Sequence, residues 1–355
     1  MEEESNSKRK LKRLLEEVGI TPSIHDIGKD MMEFDIPIYE DTFISGLTYA
    51  GFPIMGKLPD SEMRKIVLDI SSLVLRISNR IIYYTLDHLQ ESLKSEKNNV
   101  AFAFIQKATI AHICNHKLSS EGITTERHGK QCSVVDEYKT MPLTRSVYEH
   151  LAMFYYLFVF SVNSHQQEVI WNSWLLGSKK NLLKGNIPEL KAKRIEAQEE
   201  IRVITESLRN NVLARKCISN PKGQFEYCLK SNSVFTITEK NDQFVAEKLT
   251  YDKAWRYLYG ERIDLSLIYN FLSFHSHPTY IGLSQFNSQE SSIEFPLYYS
   301  CHFLSYLCRL FMKQLHIDKS ILTDSLTERE QGIYYFLSNE NNQIIKDKTQ
   351  EWNTE

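Results

Sequence analysis

"PDSEMRKIVLDISSLVLRISNRIIYYTLDHLQESLKSE", residues 59–96, decides the fold class. Ile66, Val67, Ile70, Leu73, Val74 and Ile77 recur at three- and four-residue steps, which puts them on one face of an α-helix. Asp60 or Ser61 can cap its start and Glu62 suits the first turn, so the spacing predicts a long helix over about 61–94.

The same period continues outward along the chain. "NVAFAFIQKATIAHICNHK" (99–117) reads as a second helix. After a polar connection at 117–140, "MPLTRSVYEHLAMFYYLFVF" (141–160) reads as a third, with Thr144 as cap and Pro142 in the approach. A fourth starts at Ser164 and carries Trp171 and Trp174; "PELKAKRIEAQEEIRVITESLRNNVLARK" (188–216) reads as a fifth, largely solvated, with charges at i,i+4 spacing. Residues 216–249 alternate polar breaks with short apolar patches, which fits a long loop or a small hairpin. A short helix in "TYDKAWRYLYG" (250–260), two buried ones within 264–286 and 292–315, and a last one over about 327–338 complete the series.

Thirteen glycines and nine prolines are too few for a sandwich or barrel of many tight turns, so the expected class is all-α: a helical bundle with an irregular N-terminal arm. The expected organisation is an arm at 1–60 packing on the body, a bundle at 61–340 with the insertion at 216–249, and a polar tail at 341–355. Within the arm, 1–18 reads as a short charged helix and 19–60 as irregular chain punctuated by Pro22, Pro37, Pro53 and Pro59.

A net charge of −3 supplies no general field for nucleic acid or a membrane surface, although a local basic patch remains compatible with it. Cys114, Cys132, Cys217, Cys228, Cys301 and Cys308 are dispersed with no CxxC pair, which fits reduced thiols in a cytoplasmic setting. The charged start lacks the apolar core of a secretory signal. "LAMFYYLFVFSV" (151–162) and "LYYSCHFLSYLCRLFM" (297–312) fall short of the roughly 20 apolar residues a membrane span needs, so both read as core helices and no membrane partner is expected.

One place conflicts with a purely apolar core. Arg145, Glu149 and His150 stand at the head of the aromatic run 145–160, where burying ionised groups is costly. Arg145 and Glu149, four apart, are about 40° from each other around a helix and can act as a pair. His150, five from Arg145, diverges by about 140°. In the helix within 264–286, Tyr269, Ser273, His277, Tyr280 and Ser284 share one polar-aromatic stripe, and Pro278 favours a kink that leaves a free carbonyl near Phe274. One reading brings the Arg145/Glu149 face against Ser273, His277 and Tyr280, with Arg145 holding an anionic or phosphate group, Glu149 fixing the arginine and His277 acting as acid, base or donor. The plainer reading is a satisfied polar network that ties helices together.

"RSVYEHLAMFYYLF" followed by "AWRYLYGERIDLSLIYNFLSFHSHPTY" resembles a family of bacterial all-helical proteins of uncharacterised activity, which shares an R-x-x-x-E helix and a later Y-x-x-x-S-x-x-x-H helix. Here those positions are Arg145, Glu149, Tyr269, Ser273 and His277, and the resemblance, over about 65–312, implies a helical fold. The Arg145-to-His150 spacing is also similar to the arginine–histidine signature of HEPN-type helical ribonucleases. That resemblance implies metal-independent RNA cleavage, with histidine activating a 2′-hydroxyl and arginine stabilising the phosphorane across a homodimer. Ser146 departs from the amide or acidic residue often found after that arginine.

His112, Cys114, His116, His128 and Cys132 have spacings that zinc could use, yet Cys114 would point away from the His112/His116 face and the order matches no zinc signature. Ordinary histidines at a helix end are the reading, with neither metal nor cofactor expected. No P-loop, dinucleotide fingerprint or nucleophile elbow occurs. The sequence therefore points to a binding module for a small anionic ligand or RNA through Arg145, Glu149, Tyr269, Ser273, His277 and Tyr280. The enzymatic alternative draws its catalytic candidates from Arg145, His150 and His277.

Overall fold

The computed structural model describes residues 60–121, 123–127, 130–134, 137–184, 191–220, 222–259, 269, 272–273 and 294–338. The expected arm, the polar tail and most of the helix within 264–286 lie outside the described residues. Eleven α-helices and two separate two-stranded antiparallel hairpins make up the described chain, so the all-α expectation holds. No described helix is long and apolar enough to cross a membrane.

Two compact units divide the chain: Met1–Tyr148 with Leu272–Glu355, and Glu149–Phe271. In the first, α1 (Asp60–His88), α2 (Glu96–Glu121) and α9 (Glu294–Gln314) pack on one another. Val67, Ile70, Leu73, Val74 and Ile77 of α1 are buried as their spacing required, and Ile81 extends the stripe. Phe102, Ile105 and Ala108 of α2 and Phe303, Leu307 and Phe311 of α9 are buried in the same unit. Helices α2 and α9 run antiparallel, because His112 bonds Ser300 at one level while the Phe102 and Phe311 rings lie 6.2 Å apart at another. Two short helices, α10 (Ser320–Thr323) and α11 (Glu328–Leu337), close the unit. Ahead of α11, Thr327 Oγ1 accepts from the Glu330 amide at 3.3 Å and Glu330 Oε2 accepts from the Thr327 amide at 2.9 Å, a reciprocal capping box.

Several boundaries differ from the spacing-based expectation. Helix α1 stops at His88, and a 3₁₀ turn at Ser92–Lys94 separates it from α2. The 117–140 connection is not all loop: α2 runs on to Glu121, and β1 (Ile123–Arg127) pairs with β2 (Lys130–Val134). Helix α3 (Glu137–Phe158) starts ahead of Pro142, which lies inside it. Thr144 is therefore no cap; it is fully buried, receives a 2.8 Å bond from Asn115 Nδ2 of α2 and donates to the Pro296 carbonyl of α9 at 2.8 Å. Burial of Thr140, Met141 and Thr144 outweighs the one helical bond that proline forfeits.

In the second unit, α4 (Ser164–Lys184) and α5 (Lys191–Asn210) pack side by side. The fifth helix read from 188–216 is in fact two, because Asn211 leaves helical geometry (φ −61°, ψ 139°) and accepts from the Leu213 amide, capping α6 (Val212–Ile218). The same side chain donates to Glu168 Oε2 at 2.8 Å, so a contact with α4 holds the break. The 216–249 segment contains a short helix, α7 (Phe225–Lys230), and then a hairpin of β3 (Phe235–Lys240) with β4 (Gln243–Lys248). Asn241 and Asp242, at φ 50° and 60°, supply the left-handed turn. Helix α8 (Tyr251–Tyr259) follows.

Helix α4 lies close to the strand: Ser173 Oγ accepts from the Phe235 amide at 3.1 Å, and Gln166 Nε2 donates to Thr236 Oγ1 at 3.0 Å. One turn beyond Ser173, a β-carbon on Gly177 would fall 2.5 Å from the Asn232 carbonyl oxygen, which is backbone. Gly177→Ala is therefore expected to destabilise by about 1–3 kcal/mol, read as a lowered urea midpoint. An unchanged midpoint would mean that the helix and the backbone at Asn232 are not held this close.

Candidate functional site

Helix α3 carries the charged motif, and its burial pattern answers the conflict raised by the sequence. Val147, Tyr148, Leu151, Ala152 and Phe154 are fully buried, whereas Arg145, Ser146, Glu149 and His150 are only partly covered. The charges stand at the rim of the aromatic face, outside the sealed core. Arg145 belongs to the first unit, and Glu149 and His150 to the second. Tyr269 and Ser273 are helical and partly buried, and the Tyr269 ring lies 6.2 Å from that of Tyr251. His277 and Tyr280 lie outside the described residues, so the expected meeting of the two motifs is not part of the structure described.

A second polar cluster, absent from the sequence-based site, lies inside the first unit with one histidine at its edge. Three helices contribute to it. His112 of α2 is fully buried, with Nδ1 2.7 Å from Ser300 Oγ of α9 and Nε2 3.1 Å from Ser71 Oγ of α1. Ser71 Oγ is also 2.9 Å from His116 Nδ1, one turn along α2, and Cys301 Sγ lies 3.9 Å from His112 Nε2. Burial lowers the His112 pKa to about 3, so the imidazole is neutral at pH 7. It lowers that of half-buried His116 too, against the opposing effect of Glu121, and raises that of the Cys301 thiol.

Further polar groups extend the cluster along the inner face of α2. Thr109, His112, Asn115 and Ser119 recur at three- and four-residue steps and are all buried. Thr109 Oγ1, Asn115 Oδ1 and Ser119 Oγ have no hydrogen-bond partner among the described residues. At the end of this stripe Arg64 of α1 donates to the Ser119 carbonyl at 2.8 Å. The stripe was visible in "TIAHICNHKLSS" as a polar set at helical spacing. Its serine partners at positions 71 and 300, far off in sequence, were not.

Chemically, the Ser71–His112 separation equals that of a nucleophile and its base. Both residues are fully buried, however, which denies a substrate access, and the arrangement acts as an internal hydrogen-bond network. His112 and His116 converge on a serine hydroxyl, and the described residues contain no group of three or more metal-ligating side chains. Cys114 is exposed, on the side of α2 away from them, as its spacing indicated. His128 lies outside the described residues. Compared with known proteins, the chain matches no family model, no curated protein and no solved structure.

Proposed function

We propose that the protein is a helical binding module that takes an anionic or phosphate-bearing ligand at the Arg145/Glu149 face of α3. The observation that carries this reading is the partial exposure of Arg145 on a helix whose neighbouring Val147, Tyr148 and Leu151 are fully buried. A guanidinium at a rim keeps its charge and its fork of donors within reach of a phosphate, and the carboxylate four residues on can orient it. Tyr269, Ser273, His277 and Tyr280 enter the proposal as further polar groups for the ligand, on the strength of their spacing.

The test is Arg145→Ala with inorganic phosphate and a short RNA as probes in calorimetry. Binding is expected to fall at least about tenfold while stability changes by less than about 1 kcal/mol, as for a partly solvated charge. If the variant instead loses about 3–5 kcal/mol and the wild type binds neither probe, the motif is structural.

A ribonuclease is the second reading, favoured by one observation: His150 is also only partly covered, so it too can meet a ligand. His150→Ala should then abolish metal-independent RNA cleavage. Under the binding-module reading it should leave affinity for the probes largely intact, and the wild type should cleave nothing.

A further inference from the structure

We propose that His116, Ser71, His112 and Ser300 form a hydrogen-bond chain whose direction reverses when His116 takes up a proton, so that a rim histidine sets the tautomer of a sealed one. The three links measure 2.9, 3.1 and 2.7 Å and pass from α2 to α1, back to α2 and on to α9. His116 is partly exposed, whereas Ser71, His112 and Ser300 are fully buried, so solvent reaches the chain at one end.

Each hydroxyl has a single proton, and neutral His112 has one donor and one acceptor nitrogen. Two arrangements satisfy all three links and also give the Ser71 proton an acceptor in the chain; with both imidazoles donating to Ser71, its buried O–H would have none there. In the first, Ser300 donates to His112 Nδ1, His112 Nε2–H donates to Ser71, and Ser71 donates to His116 Nδ1. Both imidazoles then carry the Nε2–H tautomer, which free histidine side chains prefer. In the second, every donor is reversed: His116 Nδ1–H donates to Ser71, Ser71 donates to His112 Nε2, and His112 Nδ1–H donates to Ser300. A doubly protonated His116 has no lone pair on Nδ1, so of these two only the second survives. One proton is gained from solvent, at His116; His112 changes tautomer with no net gain.

Among the described residues, the titratable and charged groups at the chain are Glu121 on α2, Arg64 on α1 at the Ser119 carbonyl and Cys301 on α9. Burial opposes charging of His116 and Glu121 favours it, with burial the larger, which sets the reversal at a lower pH than an ordinary histidine would. Burial also keeps His112 neutral throughout that range, so it answers by tautomer. The device is independent of the Arg145 site.

Nitrogen-15 NMR of the histidine rings between about pH 8 and pH 5 tests it. In the wild type, His112 is expected to pass from Nε2–H to Nδ1–H with the same midpoint as the titration of His116. In Ser71→Ala, His116 should titrate while the His112 tautomer stays constant. His116→Gln, at a partly exposed position, should fold and should also leave the His112 tautomer independent of pH. A wild-type His112 that keeps one tautomer while His116 titrates overturns the proposal. So does a tautomer change that persists in either variant.

Discussion

Lowering the pH from about 7 to about 5 is expected to reduce the unfolding free energy by about 2 kcal/mol through His112 alone. Its pKa is about 3 in the folded protein and near the ordinary histidine value of 6.5 once unfolded, because burial penalises the charged ring. The unfolded chain therefore binds a proton below pH 6.5 that the native protein refuses. The stabilisation is fully present above about 6.5 and is lost as the pH falls toward 3. His302, lowered to about 4 by burial, acts in the same direction, so the observed fall should exceed the single-site figure. Urea unfolding at stepped pH gives the curve, and His112→Gln should reduce its slope by about one proton. A flat wild-type curve between pH 6.5 and 5, or a slope unaltered in the variant, would contradict the assignment.

Phe303→Ala should cost about 3–5 kcal/mol. Phe303 is fully buried on α9, its ring 5.2 Å from that of Tyr148 on α3 and 6.0 Å from that of Tyr299. Truncation removes apolar area from the interior and leaves a cavity that rigid helices on both sides cannot fill. Part of the loss belongs to the ring pair: a double-mutant cycle with Tyr148→Ala should return a coupling of about 0.5–1.5 kcal/mol. A cost below about 1 kcal/mol in chemical denaturation would mean that the two helices do not pack through these rings.

Local order was legible where one signal dominated. The apolar period of α1, the Ser164 start of α4, the short helix after Thr250 and the last helix near 328–337 follow from spacing and caps that act within a few residues. Where a local signal was outvoted by packing, the reading shifted. Pro142 and Thr144 suggested a helix start, but Thr144 is bonded to Asn115 and to the Pro296 carbonyl, and α3 begins upstream of both. Asn211 looked like one more polar residue in a solvated helix until its bonds to Glu168 and Leu213 made it a break.

The candidate site divides in the same way. The sequence by itself determined that Arg145 and Glu149 share a helix face and that His150 diverges from them, since helical geometry alone sets those angles. It could not say whether those charges were sealed or at a rim. That depends on which neighbours cover α3, and the structure leaves them partly exposed. Nor could it pair His112 with Ser71 and Ser300, which lie 41 and 188 residues away and meet only because α1 and α9 both pack on α2. Periodicity encodes the direction in which a side chain points along its own helix, because backbone torsions repeat locally. Which distant side chain it meets, how dry that place is and therefore whether a histidine stays neutral are properties of the packed interior, and tertiary structure alone decided them.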